Sequence, residues 1–85
     1  MIRNNPLNEL IDLLLSIKKR EEMKDFLLGI LTPKELLEIP TRLQIVKRLK
    51  KGISQHKIAR DLKVGIATVT RGSRELKLGR FKVVR

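Results

Sequence analysis

The chain has 85 residues and a formal net charge of +11, from 20 Lys and Arg against 9 Asp and Glu. Hydrophobic residues make up 41% of it, a composition typical of a folded domain, which excludes a disordered basic tail and a collagen-like chain. The absence of cysteine excludes a disulfide scaffold and a zinc finger, and favours a reducing, cytoplasmic location. No apolar stretch approaches the roughly 20 residues that span a bilayer, and Met1-Ile2-Arg3 does not resemble a secretory leader, so we expect no membrane partner.

The positive charge lies in the second half of the chain. Residues 1–41 carry 6 basic and 7 acidic side chains, a net charge of −1, whereas residues 42–85 carry 14 basic and 2 acidic ones, a net charge of +12. This asymmetry predicts a nearly neutral half that folds or pairs and a basic half that binds an anion. The alternative is a merely solvated basic surface. Phe26 and Phe81 are the only aromatic residues, which argues against single-stranded nucleic acid held by stacking.

Two amphipathic helices are predicted in the first third of the chain. The first begins at Asn5-Pro6, ends at about Lys19, and carries apolar residues at helical spacing: Leu7, Leu10, Ile11 and Leu14. The second has the same period and Gly29 near its end: Met23, Phe26, Leu27, Ile30 and Leu31. Because Leu13 and Leu15 widen the first apolar stripe, we expect that helix to pack on two sides or against a second chain.

The third helix has the clearest start signal. Thr32-Pro33-Lys34-Glu35 combines a threonine N-cap, a proline at the first helical position and a glutamate that closes a capping box. The helix is expected to end at Lys50-Lys51, before Gly52. Pro40 lacks an amide hydrogen, so it is expected to kink or split the helix at a cost of ~3 kcal/mol unless packing compensates.

Residues 53–77 predict two short helices around a tight turn. Ser54 is expected to cap the first, and Lys63 takes the turn position that favours a left-handed backbone. The apolar residues fit the contact between the two helices: Ile58, Ala59, Leu62, Val64 and Val69. This is the spacing of a helix-turn-helix, whose second helix enters the DNA major groove. A packed helix pair without a nucleic-acid role is the alternative, but the location within the basic half favours DNA, with phosphate contacts supplying most of the affinity.

The run from Gly65 to Ser73, Gly-Ile-Ala-Thr-Val-Thr-Arg-Gly-Ser, resembles the signature of the Trp repressor family. Leu31-Thr32-Pro33-Lys34-Glu35 and Thr41-Arg42-Leu43 resemble that family at the matching distances upstream, so the resemblance covers roughly Leu31 to Lys77. It implies an all-α, intertwined homodimer that represses transcription when L-tryptophan binds as corepressor. The two-fold axis then implies a palindromic double-stranded operator with half-sites roughly 34 to 36 Å apart, or a multiple of that distance.

The resemblance also implies a ligand site. By position, Arg42 and Arg71 sandwich the indole, Thr32 and Arg71 meet the carboxylate, and backbone carbonyls near Leu31 accept from the ammonium. Guanidinium groups stack on aromatic faces and pair with carboxylates, which suits these roles. Gly72 leaves room for the ring against the second helix. The alternatives are phosphate contacts for the two arginines and simple helix capping for Thr32.

Two departures from the family affect these expectations. Glu75 stands where the family has a small hydroxyl residue, so its carboxylate is expected to pair with the ligand's ammonium, to select another amine, or to neutralise Arg42 or Arg71. Family members typically continue into another helix that packs across the dimer, whereas this chain ends soon after Leu78-Gly79. The dimer contact is therefore expected to rest mainly on the first three helices.

The implied DNA contacts lie at the starts of the two short helices. Thr and Ala side chains can touch thymine methyls, and Gln and His can donate to base edges. His56 replaces an arginine of the family, so the preferred base is expected to differ. The full set is Gln55, His56, Gly65, Ile66, Ala67, Thr68 and Thr70, with Lys57, Ser73 and Lys77 as phosphate contacts.

These expectations divide the chain into a dimerisation half (residues 1–51), a DNA-reading head (52–78) and a short basic tail (79–85). A DNA-binding regulator of the same fold that is independent of ligand, or that responds to another small amine, is the nearest alternative. An RNA-binding or nucleoid protein would carry stacking aromatics or scattered charge, and the sequence has neither. Enzymatic activity is not expected, because the acids and the single histidine form no acid/base or metal constellation.

Overall fold

The computed structural model describes residues 5–85, which form five α-helices and no strand over that range. The helices are α1 (Pro6–Ser16), α2 (Arg20–Ile30), α3 (Pro33–Lys50), α4 (Gln55–Leu62) and α5 (Ile66–Lys77). The predicted all-α class is confirmed. Residues 1–4 lie outside the described part, and with them the expectation about a leader at Met1-Ile2-Arg3. None of the described helices is long and apolar enough to cross a membrane.

The chain divides into two units, Met1–Leu36 and Leu37–Arg85. In the first unit, α1 starts as predicted: the Asn5 side chain accepts a hydrogen bond from the Leu7 amide at 2.8 Å. Its end was predicted too late, because the helix ends at Ser16 and Ile17 is extended, with φ −77° and ψ 122°. The Ser16 hydroxyl donates to the Leu13 carbonyl at 2.7 Å, a local bond of the kind that serine forms in competition with a continuing helix.

The capping box at the start of α3 is confirmed. The Thr32 amide donates to Glu35 Oε1 at 2.9 Å, and the Glu35 amide donates to Thr32 Oγ1 at 3.1 Å. Of the two outcomes predicted at Pro40, a split does not occur, since α3 runs through this residue as one helix of 18 residues; the kink stays a prediction. Proline removes a single backbone hydrogen bond, and the helical bonds continue on both sides; in addition, the Thr41 hydroxyl donates to the Leu37 carbonyl at 2.7 Å.

The second unit contains the buried residues. Ile45, Ile58 and Val69 form a core contributed by α3, α4 and α5, and each is at most 1% exposed. Partly buried apolar side chains pack around it: Leu49, Ile53, Ala59, Leu62 and Val64. This confirms the inner faces predicted for the helix-turn-helix. The core holds α5 against both α3 and α4 and thereby fixes which face of α5 is left open.

The turn between α4 and α5 has the predicted geometry. Ser54 Oγ accepts from the Lys57 amide at 3.2 Å and caps α4. Lys63 adopts the left-handed conformation, with φ 56° and ψ 47°, and the Val64 amide donates to the Ala59 carbonyl at 3.0 Å. A residue with a Cβ pays about 1–2 kcal/mol for this conformation, which the packing of Leu62 and Val64 against the core offsets.

Candidate nucleic-acid interface and ligand pocket

The predicted DNA contacts fall into two groups by exposure. Seven are exposed to solvent: His56, Lys57, Gly65, Ile66, Ala67, Thr68 and Lys77. Three are partly buried: Gln55, Thr70 and Ser73. The exposed start of α5 combines an amide-rich helix N-terminus with small side chains, so a duplex backbone can approach it closely.

Gln55 and Thr70 are linked to each other. The Thr70 hydroxyl donates to Gln55 Oε1 at 2.8 Å, across the contact between α4 and α5. The carbonyl oxygen of the Gln55 amide is thus occupied, while its NH2 group remains a donor. The bond fixes the orientation of a side chain predicted to read DNA, and it ties the starts of the two helices together.

Lys57 also has a partner within the protein. Its Nζ lies 2.8 Å from Asp61 Oδ2, one turn further along α4. The hydrogen bond from Lys57 is the main cause that lowers the pKa of Asp61; a smaller desolvation effect opposes it, and the charges of Lys57, Arg60 and Arg48 add to the lowering. Asp61 therefore remains a carboxylate below its ordinary pKa and partly neutralises a predicted phosphate contact.

A cavity of about 260 Å³ lies between α3 and α5 in the second unit. Four predicted ligand residues line it: Arg42, Arg71, Gly72 and Glu75. Two predicted DNA contacts, Ala67 and Thr68, line it as well. The remaining wall consists of Ile45, Val46 and Phe81. The cavity thus combines an apolar floor, two guanidinium groups and one carboxylate, which suits a small zwitterion with an apolar part.

Two predicted ligand residues, Leu31 and Thr32, belong to the first unit, so their part in the pocket remains a prediction. Gly72 lies at a close approach of two helices. A methyl group there would be 3.4 Å from Ile45 Cγ2 and 3.6 Å from Leu49 Cδ1, which is ordinary van der Waals contact. Alanine therefore fits at this position, whereas a larger side chain would press on the buried Ile45.

Glu75 forms its ion pair with neither Arg42 nor Arg71. Its Oε1 lies 3.3 Å from the Nε of Arg80, in the segment after α5. The sequence predicted no role for Arg80 or Phe81, because a chain reversal that no helical spacing encodes brings Phe81 to the pocket and Arg80 to Glu75. Gly79, which has φ +97°, was the one signal of that reversal.

The site contains no candidate for metal chemistry. Within residues 5–85, no group of three or more His, Asp or Glu side chains could hold a metal ion. The arrangement is suited to binding rather than to catalysis. The N-terminus of α5, within the basic half of the chain, suits an anionic duplex, and the cavity with charges of both signs suits a small molecule.

Comparison with known proteins agrees with this geometry. A sequence profile described as "Trp repressor protein" matches residues 5–83. A "Trp operon repressor homolog" of Vibrio vulnificus (strain YJ016) is 41% identical over 71 residues, which cover 82% of this chain and 70% of the relative. A protein of the same description from Actinobacillus succinogenes is 39% identical over 72 residues, or 84% and 71% of the two chains. The "Uncharacterized protein YerC" of Bacillus subtilis is 31% identical over 78 residues, or 92% and 75%.

Proposed function

The chain belongs to the Trp repressor family and is therefore a DNA-binding transcriptional repressor rather than an enzyme, and we propose that it is a homodimer activated by L-tryptophan. In this proposal, residues 52–78 read a palindromic operator in the cytoplasm, and residues 1–51 hold the two heads at a fixed separation. The proposed DNA contacts are the residues named above at the starts of α4 and α5.

One observation carries the corepressor proposal. Arg42 and Arg71 line the same cavity as Ala67 and Thr68, which lie in the first turn of the recognition helix α5. A ligand in that cavity would touch the DNA-reading segment directly. The volume of about 260 Å³ is just below the roughly 300–1,000 Å³ of drug-sized sites, as expected for a single amino acid.

The side chains around the cavity match the three parts of L-tryptophan. Guanidinium planes from Arg42 and Arg71 can stack on the indole, and either can pair with the carboxylate. The Glu75 carboxylate is the natural partner for the ammonium. Because ligand and duplex share α5, binding of each favours the same orientation of that helix, and L-tryptophan and DNA are expected to raise each other's affinity by an equal factor.

The homodimer proposal is supported by the exposed apolar residues of the first two helices. Leu7 is 61% exposed, Leu15 74% and Leu28 53%, although each lies on an amphipathic helix. Large apolar side chains left exposed in this number favour an interface. A second copy of the chain would cover it and place two reading heads about a two-fold axis, which matches a palindromic operator.

A second candidate function is a repressor of the same fold that needs no ligand or takes another small amine. The ion pair between Glu75 and Arg80 favours it, because the carboxylate that would bind the ammonium of tryptophan already has a cationic partner. The two candidates differ in one measurable property, the binding of L-tryptophan.

Isothermal titration calorimetry of the full chain with L-tryptophan tests the corepressor proposal. The protein has no Trp or Tyr, so ligand fluorescence provides a second readout. Arg71→Ala is expected to weaken binding about tenfold or more, because it removes both a stacking plane and a charged hydrogen-bond donor. Arg74→Ala removes an exposed arginine of the same helix that does not line the cavity, and should bind like the unmodified chain.

Absence of tryptophan binding by the unmodified chain would reject the corepressor proposal and leave the ligand-independent or other-amine repressor. Equal binding by Arg71→Ala and the unmodified chain would show that tryptophan binds elsewhere on the protein.

A further inference from the structure

The segment after α5 folds back onto the second unit. Gly79 and Phe81 both have positive φ, +97° and +66°, and together they reverse the chain. Lys50, the last residue of α3, then donates from Nζ to the carbonyl oxygens of Phe81 and Val84. A non-glycine residue at positive φ is uncommon and persists only where surrounding contacts hold it, so this segment has a defined position. We call residues 79–85 the C-terminal tail.

The C-terminal tail reaches the ligand cavity with Phe81 and contacts one of the lining residues with Arg80. Phe81 is part of the cavity wall. Arg80 pairs with Glu75, which also lines the cavity and is 26% exposed, whereas Arg80 itself is 69% exposed. The only carboxylate of the cavity is therefore neutralised by a guanidinium from the tail, and the other two cations of the cavity, Arg42 and Arg71, remain available for an anionic group.

We propose that the C-terminal tail is part of the ligand site and that Arg80 occupies on Glu75 the position of a ligand's ammonium. This inference rests on the ligand site of the proposed function and adds to it a residue that determines specificity. An amine ligand competes with Arg80 for Glu75, whereas a ligand with the same ring and carboxylate but no amine leaves the pair intact. Arg80 therefore lowers the affinity for amino acids and leaves that for their deaminated analogues unchanged.

The test compares L-tryptophan with indole-3-propionate, which has the indole and the carboxylate but lacks the amine. Both are titrated into the full-length chain and into Arg80→Gln. An exposed ion pair contributes little free energy, so its removal should raise the affinity only modestly. We expect Arg80→Gln to bind L-tryptophan about two- to fivefold more tightly and indole-3-propionate with unchanged affinity. Arg80→Lys keeps a cation opposite Glu75 and should return the tryptophan affinity towards that of the unmodified chain.

Lys82→Gln is the matched control. It removes the same charge from the same tail, but Lys82 neither pairs with Glu75 nor lines the cavity. If lower positive charge alone raised the affinity for L-tryptophan, Arg80→Gln and Lys82→Gln would gain equally. Competition between Arg80 and the ammonium predicts a gain in Arg80→Gln alone.

The outcomes separate this inference from the proposed function. Tighter tryptophan binding by Arg80→Gln alone, including binding that appears only in that variant, supports the inference. Tryptophan binding that is the same in all variants, or an equal gain for indole-3-propionate, overturns it and leaves the corepressor proposal standing. Failure of every variant to bind tryptophan overturns both.

Discussion

The two units of the chain bury their apolar residues to very different extents. Within the described residues, neither α1 nor α2 has a buried side chain, although both are amphipathic. The unit Leu37–Arg85 buries Ile45, Val46, Ile58 and Val69. The second unit thus has a core of its own, whereas the first leaves much of its apolar surface uncovered. A hydrophobic face is stabilising only when it is removed from water, which favours the proposed pairing of the first unit with a second chain.

The same two regions differ in charge. The near-neutral half of the chain carries the exposed apolar residues of α1 and α2. The basic half carries the core, the recognition helix and the cavity, together with exposed apolar residues of its own such as Leu78 and Val83. In the proposed dimer, pairing and DNA reading use different surfaces, so a substitution at the pairing surface is expected to weaken operator binding only through loss of the dimer.

The largest expected effect follows from placing a charge on the uncovered surface. Ile11 is 42% exposed in the single chain, so Ile11→Glu would be nearly neutral for a monomer. In the proposed dimer each protomer buries an unpaired carboxylate at a cost of ~2 kcal/mol or more, and the two together raise the dimer dissociation constant roughly 1,000-fold. Analytical ultracentrifugation over a concentration series measures it.

Asn8→Glu is the matched control, since it adds the same charge to the same helix at a polar position that is also exposed. The control should dimerise like the unmodified chain. A monomeric unmodified chain, or unaltered dimerisation of Ile11→Glu, would mean that something other than a second copy covers this face.

A smaller effect is expected from the acidic residue of the recognition unit. Asp61→Asn releases Lys57 for a phosphate and should tighten DNA binding about two- to fivefold, with a steeper loss of affinity as salt increases. Asp25→Asn makes the same charge change in the first unit and should leave DNA binding unchanged. Fluorescence anisotropy over a salt series measures the DNA affinity of the two variants. Equal gains in affinity would show that the overall charge, and not the release of Lys57, is responsible.

Lowering the pH is not an equivalent test. The pKa of Asp61 lies below its ordinary value, mainly because of the hydrogen bond from Lys57. The stability contributed by this pair is fully present above the unfolded-state pKa and is lost as the pH falls through the lower folded-state value. Asp61 therefore stays ionised at neutral and mildly acidic pH, and only the substitution releases Lys57.

The sequence predicted the features that depend on neighbouring residues. The Thr32 capping box, the Ser54 cap and the left-handed Lys63 were all read from local spacing and are confirmed. The split that was one of the two outcomes predicted at Pro40 does not occur, because one missing hydrogen bond is small beside those that the rest of α3 keeps. The contact of Arg80 with Glu75 was not predicted at all, since it depends on a reversal after α5 and on Lys50, which lies thirty-one residues before Phe81.

Operator binding with and without L-tryptophan tests the central claim most directly. Palindromic duplexes selected from a random library would be titrated with the full chain, and the affinity measured by anisotropy at fixed salt. The account predicts that saturating L-tryptophan tightens binding about 5- to 150-fold, the usual range of allosteric coupling, and that Arg71→Ala needs about tenfold more L-tryptophan for the same gain. Tight operator binding that L-tryptophan does not change would contradict it.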